Sequence, residues 1–266
     1  MVVIGVWILI LASLLVASLY AVVNILITHQ VIRLFAIVIM LFLVACALEI
    51  TLLMILRSRV TTYKNFWAVK STPISNEFIY VALGDSAAQG IGASSPDLSY
   101  VKLIAAQVES RTSKRVRIIN LSRSGAKLND LLSSQIPEMR GLNPDIVTVD
   151  IGSNDIAGGT SQDIMSREYD QAIKALSPYP VIFSNLPDFM WGTQQRDTTV
   201  MNNTILKLCN DHSIKQADLH AFTHSRMWSF NEFAADGFHP NNNGHRTWAR
   251  SFAPGVEAII ALSVMK

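Results

Sequence analysis

Residues 80–86 read Tyr-Val-Ala-Leu-Gly-Asp-Ser, and this stretch decides the fold that we expect. Four aromatic or apolar residues run directly into a glycine, an acid and a serine, a pattern typical of a buried strand that ends at a polar turn. In an open α/β sheet the reactive groups lie beyond the carboxyl ends of the strands, so Ser86 stands where a nucleophile is expected. Because serines are common in turns, this position alone does not indicate catalysis.

Short apolar runs alternate with helical patterns from residue 77 to the end of the chain. The predicted strands are 78–83, 116–121, 146–151, 181–184 and 216–219, and the predicted helices are 99–110, 128–134, 161–176, 200–212 and 242–262. This alternation implies parallel strands joined by right-handed crossovers. A length of about 190 residues suits one domain, so we predict a three-layer α/β/α domain over residues 77–266.

The first 57 residues are far more apolar than the rest of a chain that is 50% hydrophobic. Residues 2–27 carry no charge and would form a helix about 39 Å long, enough to cross a hydrocarbon core of ~30 Å. Residues 34–56 form a second apolar run, interrupted only by Glu49. A cleaved signal peptide explains the first run poorly, because no Lys or Arg precedes it and its apolar core is too long. We therefore predict a two-helix transmembrane hairpin over residues 1–57, with a turn at residues 28–33.

Residues 58–76 are polar and mixed in charge, and we predict a juxtamembrane linker there. Its aromatic residues Tyr63, Phe66 and Trp67 are expected to anchor at the membrane interface. The turn between the two helices offers Arg33, whereas the segment after the second helix offers four basic residues: Arg57, Arg59, Lys64 and Lys70. The positive-inside tendency then predicts a two-pass integral membrane protein whose large domain is cytoplasmic. So few charges are involved that the extracytoplasmic orientation stays open.

Polar residues follow the first three predicted strands and precede the last helix. Ser86 follows the first strand, Gly125 lies in the loop after the second, and Asn154 lies in the Gly-Ser-Asn-Asp run after the third. Asp236 and His239 stand three positions apart before the last helix. Because the loops at one edge of a parallel sheet face the same crevice, we expect these five residues to meet. Together they form the set of groups that acyl transfer needs.

The chemistry of acyl transfer explains each residue type. A serine hydroxyl needs a base to take its proton, and a histidine can accept and return that proton near neutral pH. The second nitrogen of the histidine needs a carboxylate that fixes its tautomer. The tetrahedral intermediate carries an oxyanion that needs positioned donors. The N–H groups of Ser86 and Gly125 and the side-chain NH₂ of Asn154 are the candidates.

With these blocks in this order, residues 78–261 resemble the SGNH (GDSL) hydrolase superfamily of esterases and lipases. The resemblance implies Ser86 as nucleophile, His239 as base and Asp236 as the acid that orients it. It implies an oxyanion hole formed by Ser86, Gly125 and Asn154. It also implies a flavodoxin-like parallel sheet and no cofactor. The two predicted membrane helices lie outside the resemblance.

The predicted function is that of a membrane-tethered ester hydrolase acting through an acyl-enzyme on Ser86. An O-acyltransferase that uses the same triad is one alternative, and a catalytically silent binding protein is the other. Tethering would bring the crevice near lipid or acylated glycan substrates. Apolar and aromatic residues at 189–191 and 222–233 are the candidates for an acyl pocket.

Other motifs are absent or incomplete. His220 and His224 stand four positions apart but lack the Glu of a zinc-protease helix, so we predict solvated or capping histidines and no metal site. The basic residues at 111–117 have no interleaved aromatics and are interpreted as a solvated edge, not a nucleic-acid surface. Asp85 and Asp155 are expected to brace their turns through backbone hydrogen bonds. No GxSxG elbow, Walker sequence or complete dinucleotide fingerprint occurs.

Overall fold

A five-stranded parallel sheet forms the centre of the protein. The structure, a computed structural model, describes residues 2–24, 29–68, 72–188, 193–224, 230–234 and 236–264. Its strands are β1 (Phe78–Gly84), β2 (Val116–Asn120), β3 (Ile146–Asp150), β4 (Val181–Ser184) and β5 (Lys215–Ala217). They pair in the order β2-β1-β3-β4-β5, with every pair parallel. This is the flavodoxin-like order, and it confirms the predicted α/β parallel sheet.

Helices cover both faces of the sheet. In chain order they are α1 (Val2–Asn24), α2 (His29–Ala68), α3 (Ser86–Gln89), α4 (Tyr100–Thr112), α5 (Leu128–Asp130), α6 (Ile136–Met139), α7 (Ser153–Ala157), α8 (Gln162–Leu176), α9 (Thr193–Asp211), α10 (Leu219–His224) and α11 (Asn242–Val264). Val81 and Leu83 of β1 belong to the core that includes residues of α8 and α9. Tyr80 and Ala82 belong to the core formed with α4 and α11. This alternation follows from the two-residue period of a strand and yields three layers.

Two of the predicted helices differ from their predicted bounds by more than two residues. The segment predicted as one helix over 128–134 consists of α5, a π-helical turn over Leu131–Gln135, and α6, which contains Pro137. Proline has no backbone N–H, so Pro137 cannot donate a hydrogen bond to the preceding turn of the helix. The π-helical turn accommodates this missing hydrogen bond. α9 begins at Thr193, earlier than the predicted residue 200, because its first residues are polar and give no apolar period.

The expected juxtamembrane linker is largely helical. α2 continues through Ala68, well past the residue 57 at which the hairpin was expected to end. No glycine or proline interrupts residues 57–68, and the first proline after the apolar run is Pro73. Tyr63 and Trp67 also differ from the expected membrane anchors, because both contact the α/β domain. Tyr63 is only 2% exposed, and Trp67 packs against the α4 and α11 core.

The N-terminal region contains one described helical stretch, Ile32–Ala68, that is long and apolar enough to cross a membrane by length and composition. A shorter apolar stretch, Ile10–Ala21, lies in α1, which contacts α2. A signal sequence would share this position and composition, so the two-pass hairpin stays a prediction. Most of the predicted turn at 28–33 is helical, because α2 begins at His29, and residue 28 lies outside the described residues.

Candidate active site

The turn from β1 into α3 fixes the position of Ser86. Gly84 has φ +145°, and a Cβ there would lie 2.2 Å from the carbonyl oxygen of Asp150, so only glycine fits. Asp85 caps α3, since its carboxylate accepts the backbone N–H of Ala87 at 3.0 Å. Ser86 is therefore the first residue of a short helix at the carboxyl edge of the sheet. Its residual exposure is 6%.

Gln135, in the π-helical turn, holds the end of β1. Its side-chain Oε1 accepts the N–H of Gly84 at 2.8 Å, and its Nε2 donates to the carbonyl oxygen of Gly84 at 2.8 Å. The same carbonyl oxygen accepts the N–H of Arg123 at 3.1 Å, which ties the loop that carries Gly125 to this point. Gln135 is fully buried. Sequence reasoning missed it, because Gln135 follows the predicted helix at 128–134 and its partner Gly84 is distant in the sequence.

Ser86, His239 and Asp236 form a continuous hydrogen-bonded chain. His239 Nε2 lies 2.8 Å from Ser86 Oγ, and His239 Nδ1 lies 2.5 Å from Asp236 Oδ2. The second oxygen of Asp236 accepts the backbone N–H groups of Phe238 and His239, each at 3.0 Å. Both carboxylate oxygens are thus partnered, and the imidazole is fixed between the carboxylate and the hydroxyl.

The carboxyl group of Asp236 is held in its ionised form. Burial alone would raise its pKa, but the hydrogen bond from His239, the charge of that imidazole and the two backbone N–H groups lower the pKa below its usual value. An ionised Asp236 keeps the proton of a neutral His239 on Nδ1. Nε2 is then free to accept a proton from Ser86.

Asn154, near the start of α7, contacts Asp85 beside Ser86 and the loop that carries Gly125. Gly125 has φ +80°, and the space where a Cβ would stand is open, so its backbone faces a gap and not a packed wall. The side-chain Nδ2 of Asn154 donates to the carbonyl oxygen of Ala126 at 3.0 Å and to Asp85 Oδ2 at 3.3 Å. Asn154 therefore joins Asp85, which precedes Ser86, to Ala126, which follows Gly125. Because both its amide hydrogens have partners, donation to an oxyanion requires the longer bond, to Asp85, to yield.

Gln89 and Asn120 hold the glycine loop against α3. Oε1 of Gln89 accepts the backbone N–H of Ser124 at 3.1 Å and its hydroxyl at 2.5 Å. Nδ2 of Asn120 donates to the carbonyl oxygen of Ala88 at 2.8 Å, while its Oδ1 accepts the N–H of Ser122 at 3.0 Å. Neither residue was singled out from the sequence, since each acts through a contact that sequence spacing does not reveal.

Three buried acids lie behind the serine turn. Burial raises the pKa of Asp85 well above its usual value, and the charge of Asp150 raises it further. Burial also raises the pKa of Asp150 to about 6, against the lowering effect of hydrogen bonds from Ser184 and Trp248. Asp155 accepts the first backbone N–H of α5 at 3.0 Å. Asp85 braces its own turn as expected, through the N–H of Ala87, whereas Asp155 binds the distant N–H of Leu128, and Asp150 was not foreseen.

The candidate acyl-pocket residues are described only in part. Residues 189–191 and 227–228 lie outside the described residues. Phe222 and Phe233 are half-buried. Phe238 contacts the triad directly, with its ring edge-on to His239 at a centroid distance of 5.1 Å.

A serine, a histidine and a carboxylate in series, at the carboxyl edge of a parallel sheet, form the arrangement of a serine hydrolase. The sequence profile of the GDSL-like Lipase/Acylhydrolase family matches residues 82–247, more than half of the chain. The chain therefore belongs to this family. The predicted enzyme class, an SGNH (GDSL) serine hydrolase that acts on ester bonds, is confirmed.

Individual relatives are more distant. A multidomain esterase of Ruminococcus flavefaciens is 28% identical over 129 residues, which is 46% of this chain and only 16% of that protein. The structure of LAE5, an α/β hydrolase from the metagenome of Lake Arreo, has a TM-score of 0.59 at 21% identity, over 70% of this chain and 98% of that chain. Axe2, an acetylxylan esterase from Geobacillus stearothermophilus, has a TM-score of 0.56 at 17% identity, over 69% of this chain and 96% of that chain. At these identities the two solved structures establish a shared fold alone.

Proposed function

We propose that this chain is a serine ester hydrolase that forms an acyl-enzyme on Ser86. The observation that carries the proposal is the hydrogen-bonded chain from Ser86 Oγ through the imidazole of His239 to the carboxylate of Asp236. A serine hydroxyl is a weak nucleophile until a base removes its proton. His239 is that base, and Asp236 stabilises the protonated imidazole. Membership of the GDSL-like family supports the same reaction class.

In the acylation step, His239 Nε2 accepts the proton of Ser86 Oγ while that oxygen bonds to the carbonyl carbon of the ester. The negative charge that develops on the carbonyl oxygen is stabilised by the N–H groups of Ser86 and Gly125 and by the side-chain NH₂ of Asn154. His239 then gives the proton to the leaving alcohol oxygen as the ester C–O bond breaks. The acyl group remains on Ser86.

In the deacylation step, water takes the place of the alcohol. His239 removes a proton from the water while the water oxygen attacks the acyl carbon. His239 then gives this proton to Ser86 Oγ as the carboxylic acid leaves. A different hydroxyl in place of water would give acyl transfer by the same residues, which is the acyltransferase alternative. The complete hydrogen-bonded set argues against a silent binding protein, because such a protein needs no base oriented towards the serine.

The proposed substrate is an acyl ester, and acetylated glycans are the first class to test. Solved structures that share the fold include acetyl xylan esterases, which supports this choice. The apolar stretch Ile32–Ala68 supports anchoring to a membrane through the N-terminal helices. An anchored site would meet lipid or membrane-linked glycan esters. The basic residues after the second apolar run favour a cytoplasmic domain.

The test uses the full-length chain in detergent with acetylated xylan, nitrophenyl esters of increasing chain length and lysophospholipids. Ser86→Ala should abolish both ester turnover and labelling by a fluorophosphonate. Ser177→Ala, an exposed serine at the end of α8, should retain both. Turnover that persists in Ser86→Ala would refute the nucleophile assignment. Formation of an acylated sugar when an acceptor glycan is added would identify the transferase.

The orientation is tested separately, with reporters fused to the C-terminus. A green fluorescent reporter should be bright and a periplasmic phosphatase reporter inactive if the domain is cytoplasmic. The opposite pair of results would reverse the proposed orientation and leave the proposed chemistry unaffected.

A further inference from the structure

Two histidines and an aspartate meet on the far side of the sheet's carboxyl edge, beyond β4 and β5. Asp188 lies in the loop after β4, and His220 and His224 lie four positions apart on α10, on one face of that helix. Their imidazole rings are stacked, with centroids 5.8 Å apart and planes inclined by 20°. None of the three residues belongs to the proposed catalytic set.

Two polar atoms in this cluster are buried and have no partner within the described ranges. The side chain of Asp188 is 1% exposed; its Oδ2 pairs with His224 Nδ1 at 2.7 Å, while its Oδ1 has no hydrogen-bond partner among the described residues. Nδ1 of His220 is likewise buried, with no partner in the part of the chain that the structure describes. Burying a carboxylate oxygen and a ring nitrogen without partners costs free energy that a bound ligand would offset.

The surroundings of the cluster are already fixed. The backbone N–H of Asp188 donates to Thr223 Oγ1 at 2.8 Å, and the backbone N–H of His220 donates to Asn185 Oδ1 at 2.8 Å. Asn185 is in turn held by Asp218, to which its Nδ2 donates at 2.7 Å. These bonds attach the loop after β4 to α10, so the backbone that carries the three residues is held by contacts outside the cluster.

We infer that Asp188, His220 and His224 bind a divalent metal ion of the zinc type. One ligand atom from each residue lies within 4.8 Å of the other two, and a small inward shift of the side chains brings them to the bond lengths of ~2.0–2.2 Å that one zinc ion requires. Two imidazole nitrogens and one carboxylate oxygen form a ligand set that zinc prefers, and calcium or magnesium would call for more oxygen ligands. The side chain of His224 is 57% exposed, so an ion can reach the cluster from solvent.

The sequence did not predict this site, because its spacing displays only two of the three ligands. His220 and His224 have helical spacing without the glutamate of a zinc protease, and the third ligand comes from a different loop. The ion would fasten the loop after β4 to α10 and supply the partners that Asp188 Oδ1 and the His220 ring lack.

The test measures metal binding to the full-length, untagged protein in detergent after treatment with a chelator. Equilibrium dialysis with zinc should give one bound equivalent, and cobalt should produce visible absorption bands that zinc displaces. His220→Ala and His224→Ala should each weaken binding by more than about 100-fold, because loss of an outer-shell partner alone costs about 10–100-fold. Zinc should raise the melting temperature of the wild-type protein and not that of these variants.

Two further histidine variants serve as controls. His212→Ala removes a half-buried histidine just after α9, outside the cluster, and should bind zinc as the wild type does. His239→Ala removes the proposed catalytic base and should also retain the bound equivalent. Circular dichroism verifies that each variant is folded; His224, being more than half exposed, can be removed without opening the core. Absence of zinc binding, or binding that only His239→Ala removes, would overturn the inference.

Discussion

The phenol hydroxyl of Tyr63 donates to the carbonyl oxygen of Ala93 at 2.7 Å, across the junction between α2 and the α/β domain. Arg59 donates to the same oxygen at 2.7 Å, and the indole N–H of Trp67 donates to the carbonyl oxygen of Gln89 at 2.9 Å. The three donors stand four residues apart, so they share one face of α2. Their acceptors lie in the segment that ends and follows α3, the helix that begins at Ser86. The end of α2 is therefore an integral part of the hydrolase domain.

Tyr63→Ala should destabilise the protein by about 3 kcal/mol, because it removes a buried aromatic ring and its hydrogen bond. For a domain of this size, about 3 kcal/mol corresponds to a fall in melting temperature of about 6–12 °C. Lys64→Ala, at the neighbouring exposed position, should leave the melting temperature nearly unchanged. Thermal unfolding in detergent checks both variants. If Tyr63→Ala melts at the same temperature as the wild type, the end of α2 does not contribute to the stability of the α/β domain.

Asp236→Asn should lower kcat by roughly 10³–10⁴ with little change in KM. An asparagine at this position can donate its NH₂ to Nδ1 of His239, which forces the ring proton onto Nε2. That nitrogen then faces Ser86 Oγ with a proton and cannot accept another. Asp97→Asn is the matched control, since Asp97 is an exposed acid paired with Lys102. Steady-state kinetics on both variants decide the question, and an unchanged kcat in Asp236→Asn would remove this acid from the triad.

His245 should make stability depend on pH. It is fully buried on α11, where its Nδ1 accepts the N–H of Tyr100 at 3.3 Å and its Nε2 donates to the carbonyl oxygen of Ile91 at 3.2 Å. Burial lowers its pKa to about 4; the bond to Ile91 opposes this effect, and the charge of His239 adds to it. Between about pH 6.5 and 4 the unfolded chain binds a proton that the folded chain does not. Acidification over this range therefore favours the unfolded state.

A comparison with His245→Gln isolates this contribution from those of the buried acids. At pH 7 the variant should be less stable than the wild type, because a glutamine cannot reproduce both hydrogen bonds. That difference in unfolding free energy should shrink by about 3 kcal/mol as the pH falls from 7 to 4. Denaturant unfolding of both proteins at a series of pH values measures it. A difference that stays constant over this range would show that His245 titrates normally.

The sheet and the proposed catalytic residues could be predicted because their signals are local. The strand that ends at Gly84 reads as an apolar run into a turn, and Asp236 and His239 lie close together in the sequence. The contacts of Gln135, Tyr63 and Asp188 could not be predicted, since each depends on a partner from a distant part of the chain. Aromatic residues after an apolar helix fit a membrane interface as well as a protein surface, and only the fold distinguishes the two.

Asn154 is the residue for which catalysis and structure are hardest to separate. Its NH₂ group contributes most when negative charge has developed on the carbonyl oxygen, and much less in the ground state. Asn154→Ala should therefore lower kcat by roughly 10²–10³, equivalent to about 2.7–4 kcal/mol, with little change in KM. Asn129→Ala, an exposed asparagine on α5, is the matched control.

Labelling distinguishes the two roles of Asn154. In Asn154→Ala, Ser86 remains hydrogen-bonded to His239, so fluorophosphonate labelling should persist at a reduced rate. If Asn154 mainly joins Asp85 to Ala126, its loss should lower the melting temperature, and activity should fall in proportion to the folded fraction. Measuring kcat, KM, labelling rate and melting temperature on one preparation separates these outcomes. A folded variant with wild-type kcat would exclude Asn154 from the oxyanion hole and leave the N–H groups of Ser86 and Gly125 as its donors.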